Sequence, residues 1–450
     1  MARGKHEKKR VLSSSRAVSV IEREPNNPEN DSGSAGRRVP KPLTAIMCLA
    51  LVCIIIWGAF VYSPTPFITR WREYFISSAM STFRHQWLAT ALMPSSVIDG
   101  VMKEAEEEWK QNEIDKSEAP PIQDTTPVTP SNPGSSADPH NPVVDPGHEE
   151  IPISDTGNEL IDAFLEEYYQ IDPDTLPEDF ASWGLPSMKV KDIADKGIKT
   201  RQGDRVWAID TINGILIIEI KGETRDGKYE GKLAIVKDSS QTIMAAVPAN
   251  TEYGYTVRRF VSRNGGILGI NANPFVDSKG DGTTGNGTGN LEHAIGLIVS
   301  NGKVVHKKYG EESYQMGGFD YDNNFLVGTK LNPKELRDAG EFKPVLVANG
   351  ESRIFTKSSF GMGIQPRSAI GQTDRKETLL LIIDGRNATG WGTTVAEVAS
   401  ILVRYNCWNA LGNDGGSSAV MVYDGVEITD CSAVSSQGRN LPCAWVVKAR

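Results

Sequence analysis

Apolar positions along the chain fall into three patterns. The first is one nearly continuous run, residues 45–62, inside a 44–69 stretch that carries no charge. A hydrocarbon core of about 30 Å needs a run of that length, so 44–66 is expected to form one transmembrane helix. The second pattern is a series of short apolar runs bounded by turn residues: 206–210, 214–220, 233–237, 243–247, 267–271, 295–299, 379–383 and 419–423. These read as strands. Asn301-Gly302 turns into Lys303-Val304-Val305, and Asp424-Gly425 suits a two-residue hairpin. The third is helical: Val395, Val398, Ala399, Leu402 and Val403 share one face, with Thr394 and Glu397 spaced as a capping box. Further helices are expected over 253–263, closed by Asn264-Gly265, and over 158–169.

Segments between these patterns set the organisation. Residues 1–43 are Ser-, Arg- and Asn-rich and read as a disordered basic tail. Residues 67–112 hold Trp71, Tyr74, Phe75 and Trp87 among scattered charges, a helical stalk or an interfacial helix. Residues 113–157 are a Pro/Ser-rich linker that lacks the apolar side chains for a core. The expected fold class is α+β: a single mixed-sheet catalytic domain with few helices over 189–450, preceded by one transmembrane helix and a disordered linker. No repeat of fixed period stands out.

Charge sharpens this picture. The net charge of −9 divides into +5 for residues 1–43, with ten Lys or Arg against five acids, and −14 for the rest. An acidic remainder argues against nucleic-acid binding. Arg37, Arg38 and Lys41 precede the apolar run and only Arg70 and Arg72 closely follow it, so the expected topology is single-pass in the cell membrane with a cytoplasmic N-terminus and an extracellular catalytic domain. A cleaved signal peptide is the competing reading. Of the five cysteines, Cys48 and Cys53 lie in the apolar run; Cys407, Cys431 and Cys443 allow at most one internal disulfide, with Cys431 and Cys443 flanking one terminal excursion. No cysteine or histidine spacing fits zinc.

Candidate chemistry concentrates between residues 367 and 418. Asp384 and Asp414 each end a strand, joined by the helix after Thr393. A right-handed crossover opens both strand ends on one sheet edge, so Asp384, Arg386, Arg367 and Asp414 are expected in one pocket. Asp384-Gly385-Arg386 also fits a plain turn with a surface ion pair, and 414–418 a plain connecting loop. Glu397 reads as a helix cap, and His293 and His306, without partners in the pattern, as structural. Residues 277–290 are acidic and Gly-rich without EF-hand spacing, and read as a flexible lid. Ser417-Ser418 lacks a G-x-S-x-G elbow, which argues against a serine hydrolase.

Four motifs in order carry a resemblance: Gly269-Ile270-Asn271-Ala272-Asn273-Pro274-Phe275, Pro366-Arg367-Ser368-Ala369-Ile370-Gly371, the 380–386 run ending Asp384-Gly385-Arg386, and Asp414-Gly415-Gly416-Ser417-Ser418. Together they resemble the phosphodiester glycosidase family, whose best-known member removes N-acetylglucosamine from a sugar phosphodiester. The resemblance covers about 206 to 450, and 438–442 is similar to the family's closing Arg-containing segment. Asn271-Ala272-Asn273-Pro274-Phe275 departs from the family's Asn-Gly-Gly-aromatic-Phe form. The resemblance implies a glycosidase acting on an N-acetylglucosamine-type sugar-1-phosphodiester in a surface or exopolysaccharide glycopolymer. In this reading Asp384 and Asp414 are catalytic; Arg367, Arg386, Asn271, Asn273, Gly415, Gly416, Ser417, Ser418 and Arg439 bind substrate. Arginine forks suit phosphate oxygens, carboxylates suit the anomeric centre, and the Gly415-Gly416-Ser417 amides suit an anion. No cofactor is expected, a divalent cation stays open, and so does the oligomeric state. A catalytically inactive glycopolymer-binding protein of the same fold is the alternative; an assembly scaffold using the Trp/Phe-rich stretch is the third reading.

Overall fold

A chain with runs such as Leu379-Leu380-Leu381-Ile382-Ile383 can satisfy both faces only by burying a sheet between two layers. The computed structural model describes residues 41–80, 86–121, 156–224, 226–276, 289–308, 314–354, 362–387, 390–430, 432 and 438–450. The expected tail over 1–40, most of the linker, the 277–288 part of the expected lid, and Cys431 lie outside the described residues. Two units are distinguished, Met1–Trp57 and Gly58–Arg450. In the first the described residues belong to α1 (Lys41–Tyr62), whose large apolar side chains are exposed from Ile46 to Trp57. Thr44–Tyr62 is long and apolar enough to cross a membrane.

The second unit is α+β. After α2 (Pro66–Met80), α3 (Gln86–Leu92), α4 (Ser95–Asn112) and α5 (Glu159–Glu167) come strands β1 (Lys189–Lys191), β2 (Arg205–Asp210), β3 (Ile215–Thr224), β4 (Gly227–Val236) and β5 (Thr242–Ala246). Helix α6 (Val257–Arg263) precedes β6 (Gly266–Asn271), β7 (Gly296–Ser300), β8 (Lys303–Lys308), β9 (Gln315–Asp320), β10 (Phe325–Gly328) and β11 (Leu336–Phe342). Then come β12 (Val345–Ala348), β13 (Glu351–Ser352), β14 (Arg367–Thr373), β15 (Thr378–Ile383), α7 (Val395–Arg404), β16 (Cys407–Asn413), β17 (Met421–Tyr423), β18 (Val426–Glu427) and β19 (Cys443–Lys448). The strands form three sheets, ordered β1-β2-β3-β4-β15-β14-β16-β12-β13, β10-β9-β11-β7-β8 and β18-β17-β6-β19-β5.

The large sheet divides two cores. On one face Ile217, Ala234, Ile370, Leu380, Ile382 and Leu411 meet the smaller sheets through Ile270, Phe319, Met421 and Trp445. On the other, Ile218, Leu233, Ala369, Leu379, Leu381, Ile383 and Ala410 meet α5 and α7. Period-2 alternation sends neighbours on one strand to opposite cores, which is why β15 carries no polar side chain after Thr378.

Paired strands in the large sheet run antiparallel. The crossover expected between β15 and β16 exists with a strand inserted: β14 pairs with both, so β15 and β16 run parallel on either side of it. Helix α7 buries Val395, Val398, Ala399, Ile401 and Leu402, and the Thr394 hydroxyl accepts from the Glu397 amide. The capping box is half made, because the Glu397 carboxylate instead accepts from Tyr229 Oη. The Asp424-Gly425 hairpin forms as the sequence indicates, with φ of 52° and 73° and Tyr423 opposite Val426.

The folded unit begins earlier than residue 189. Phe164, Leu165, Tyr168, Ile171 and Phe180 fill the core under the sheet, and Trp109 joins them. Asn112, the last residue of the expected stalk, and residues 113–118, expected in the linker, are held against β10 and β12: the Ser117 amide donates to the Val327 carbonyl at 2.9 Å, and Asn112 Nδ2 to the Val345 carbonyl at 2.8 Å. Composition hid this because one aromatic and a few hydrogen-bonding side chains suffice to dock a strap.

Candidate functional site

The site lies where the large sheet parts from the β18-β17-β6-β19-β5 sheet. Chain leaving β16 crosses this gap through residues 414–418 before entering β17. Asp414 is sewn to the end of β6: its amide donates to the Ala272 carbonyl at 3.0 Å, and Asn271 Nδ2 donates to the Asp414 carbonyl at 2.5 Å. The β14–β16 register places Ser368 opposite Asn413, so Arg367 and Asp414 stand one step further along the same edge.

Around the Asp414 carboxylate, Ser418 donates a side-chain hydrogen bond, and Arg439 and Arg386 supply positive charge. Burial is the largest influence on it and raises its pKa, while Ser418, Arg439, the Gly415 amide and Arg386 pull the other way. Arg439 Nη1 reaches Ser417 Oγ at 3.2 Å and Ser418 Oγ at 3.3 Å, and its guanidinium lies 4.7 Å from the centre of the Phe275 ring. Arg386 has φ of 58°, a left-handed conformation uncommon for a residue with a Cβ. That bend carries its guanidinium beside Gly416, where Gln365 Oε1 accepts from Nη2 at 3.1 Å. A Cβ on Gly416 would stand 3.3 Å from Arg386 Nη2.

Arg367 is at the same edge in a different posture. Its guanidinium is buried and donates to the backbone carbonyls of Thr393 (2.9 Å), Met362 (3.2 Å) and Gly363. Burial, then the nearby Arg386 charge, lowers its pKa to about 9. Arg367 therefore ties the start of β14 to the 362–363 and 393 segments. Asn273 is likewise committed, with Nδ2 on the Ile295 and Leu297 carbonyls at 3.1 Å each. Within the Gly415-Gly416-Ser417 turn, the Gly416 amide donates to the Pro366 carbonyl at 3.0 Å and the Gly415 amide bonds Asp414, so neither is an open anion donor.

Asp384 parts from the others, and period-2 alternation explains why. It continues the face of Leu380 and Ile382, whereas Arg367 continues that of Ala369, on the α7 side. Asp384 lines a neighbouring cleft of about 660 Å³ with Trp207, Glu230, Lys232, Tyr423 and Asp430. Its Oδ1 accepts from the Asp430 amide at 2.9 Å. Burial raises it to about 7, with Asp430 and Glu230 adding repulsion. An unfolded Asp titrates near 4. The folded state thus holds an extra proton between about pH 4 and 7, and stability is lost as pH rises through that window. Asp384→Asn keeps an acceptor for Asp430 and removes the ionisation penalty. The expected gain is about 1–3 kcal/mol at pH 8 and none at pH 4. Urea unfolding at the two pH values measures it, and equal gains would show that Asp384 ionises normally.

Sequence reasoning did not single out Gln365, which steadies Arg386, nor Asp430, which anchors Asp384. Gln365 stands directly before the Pro366-Arg367 motif, the one signal that pointed to it. The two histidines have local partners: His293 Nδ1 contacts Asn290 Oδ1 at 2.5 Å, and His306 Nε2 the Ala294 carbonyl at 2.9 Å. Cys443 is a buried free thiol. No group of three or more metal-ligating side chains occurs among the described residues.

The fold is thus a sheet-rich α+β domain with arginines and a carboxylate gathered at one sheet edge. Residues 264–448 match the phosphodiester glycosidase family. The chain is 26% identical over 201 residues to an uncharacterised SPbeta prophage-derived protein, YomE, of Bacillus subtilis strain 168. That match takes in 41% of this chain and 29% of the relative, so less than a third of the relative's length is spanned. Among solved structures, the zebrafish N-acetylglucosamine-1-phosphodiester alpha-N-acetylglucosaminidase catalytic domain, auto-inhibited by its pro-peptide, aligns at 19% identity with a TM-score of 0.43, covering 52% of this chain and 83% of its own. A hypothetical protein from Synechocystis aligns at 14% identity and TM-score 0.37, covering 55% and 64%.

Proposed function

We propose that this protein hydrolyses a glycosyl phosphodiester, with Asp414 as the catalytic carboxylate and Arg386 and Arg439 as the phosphate clamp. The observation that carries this reading is that the half-buried Asp414 carboxylate feels the charge of both guanidiniums, Arg439 standing beside the Ser417 and Ser418 hydroxyls and Arg386 beside Gly416. In the reaction, water adds to the anomeric carbon and the bond from that carbon to the phosphate oxygen breaks. The leaving phosphate takes the bonding pair, and two arginines offset its growing charge. Asp414 takes the proton from water or stabilises positive charge on the ring. Arg367 holds the edge from beneath. The left-handed Arg386 is strained backbone of the kind that persists where function fixes it.

The fuller reading is a membrane-anchored enzyme whose domain faces outward and acts on an N-acetylglucosamine-type phosphodiester in a surface or exopolysaccharide glycopolymer. The Thr44–Tyr62 span and the basic residues before it support the anchor and the orientation. Incubating the purified full chain with a chromogenic N-acetylglucosamine-1-phosphodiester tests the reaction by release of reducing sugar. Saturable binding with no release identifies the alternative, an inactive glycopolymer-binding protein.

A further inference from the structure

The candidate site and the helix that follows the apolar span occupy the same edge of the molecule. Helix α2 starts four residues after α1 ends, and Arg72 Nη1 donates to the Phe60, Val61 and Ser63 carbonyls at 3.2, 2.9 and 3.1 Å. These carbonyls close the C-terminal end of α1, where a guanidinium is favoured both as donor and as charge. Val61 is buried with Ile76, Ala79, Ala89 and Ile98 of α2–α4.

From there contacts run to the site. Tyr74 Oη donates to Asp226 Oδ2 at 2.9 Å, and Arg70 Nε lies 3.1 Å from Asp226 Oδ1, fixing α2 to the tip of the β3–β4 hairpin. That hairpin end meets the segment after Arg386: a Cβ on Gly390 would stand 2.5 Å from the Lys228 carbonyl. One turn further along, α2 backs Gly363, where an added Cβ would overlap Ser78 Oγ, and the Gly363 carbonyl receives Arg367.

Exposed aromatics sit on α2, at the start of α3 and next to Gly390. Phe67 is 64% exposed, Trp87 62% and Trp391 77%, and Trp71 is also at the surface. Water-facing tryptophans directly beyond a membrane-length apolar helix are what the lipid headgroup layer takes up, because the ring is apolar and its N–H stays hydrated.

We propose that α2, the start of α3 and the 390–392 segment seat on the lipid bilayer, so that the site works against the membrane surface on sugar phosphodiesters carried by lipid. The seat stands on the geometry alone; the substrate class rests on the hydrolase reading given above. A site held at the surface meets lipid-linked substrate at high effective concentration, whereas a freely diffusing polymer gains nothing from that placement.

The test uses the full chain in vesicles of brominated phosphatidylcholine, with Trp57→Phe removing the tryptophan inside the span. Trp87→Phe and Trp391→Phe are each expected to lower the absolute amount of tryptophan emission quenched by bromine, and Trp408→Phe, on the β16 side of the Gly350 turn, is expected to leave that amount unchanged. No loss of quenching in the first two overturns the seat, including the case in which another protein covers this face. In plain vesicles, kcat/KM on a lipid-linked glycosyl phosphate is expected to exceed that on its short-chain soluble analogue by about tenfold or more. Trp87→Ser is expected to narrow that ratio with the soluble rate unchanged; equal rates on both substrates overturn the substrate class. Quenching without turnover on either substrate supports the seat and counts against the hydrolase reading alone.

Discussion

Asp414→Asn is expected to lower turnover by about 10²–10⁴ while leaving the fold intact. The amide preserves the shape of the carboxylate and an oxygen for Ser418, and removes the negative charge that faces Arg386 and Arg439. Catalytic loss follows because neither proton abstraction nor stabilisation of a positive ring is available to a neutral amide. Stability moves little. Burial already penalises the ionised carboxylate, so losing the charge relieves one cost while leaving two arginines less well matched. The substitution also separates roles by pH. With a raised pKa, Asp414 is the group whose protonation shuts down the acid limb of the rate profile, and the variant's residual rate should lack that limb. Single-turnover rates with parallel thermal melts are the measurement. A rate within tenfold of the parent, or a melt that collapses with it, would move the chemistry away from Asp414.

The elements that frame this residue were legible because they are local. The 379–383 run, the Val395/Val398/Leu402 face with its Thr394 cap and the Asp424-Gly425 turn each rest on a few adjacent residues, and each forms as read. Common placement of Asp384 and Asp414 at one sheet edge was legible too, since a helical crossover forces it. What escaped was lateral. Nothing in the 367–373 run announces that it inserts between the two crossover strands. The convergence expected of four side chains failed at Asp384 for a reason that was in the pattern all along. Leu380 and Ile382 share its face, and Arg367 alternates onto the opposite one. The commitment of Arg367 to three carbonyls depends on segments 362–363 and 393, far apart in the chain, and no spacing rule reaches that far. The same holds for the left-handed turn at Arg386, where Gly385 is crowded against Trp391 and Gly392 and Gln365 holds the guanidinium.

Loss of the strap at 109–118 is expected to cost more stability than any surface change, and Asn112→Ala isolates it. Asn112 is wholly buried, and its amide works like a piece of backbone. Nδ2 donates to the Val345 and Arg353 carbonyls at 2.8 and 3.1 Å, and Oδ1 accepts from the Val345 amide at 3.1 Å and from Gln315 Nε2 at 3.0 Å. Truncation strands both backbone groups of Val345 on a buried strand with no water to replace the lost partner. Leaving such groups unsatisfied costs about 1–3 kcal/mol each, so the variant should lose about 2–5 kcal/mol. Urea midpoints of the full chain in one detergent give the comparison. Removing residues 1–120 altogether also takes away Trp109 from the core under the sheet and the Ser117 bonds to β10, and should yield no cooperative transition. A truncated protein that unfolds cooperatively at the parent midpoint would show that the strap merely rests on the domain. An Asn112→Ala variant within 1 kcal/mol of the parent would show that the strand finds other partners.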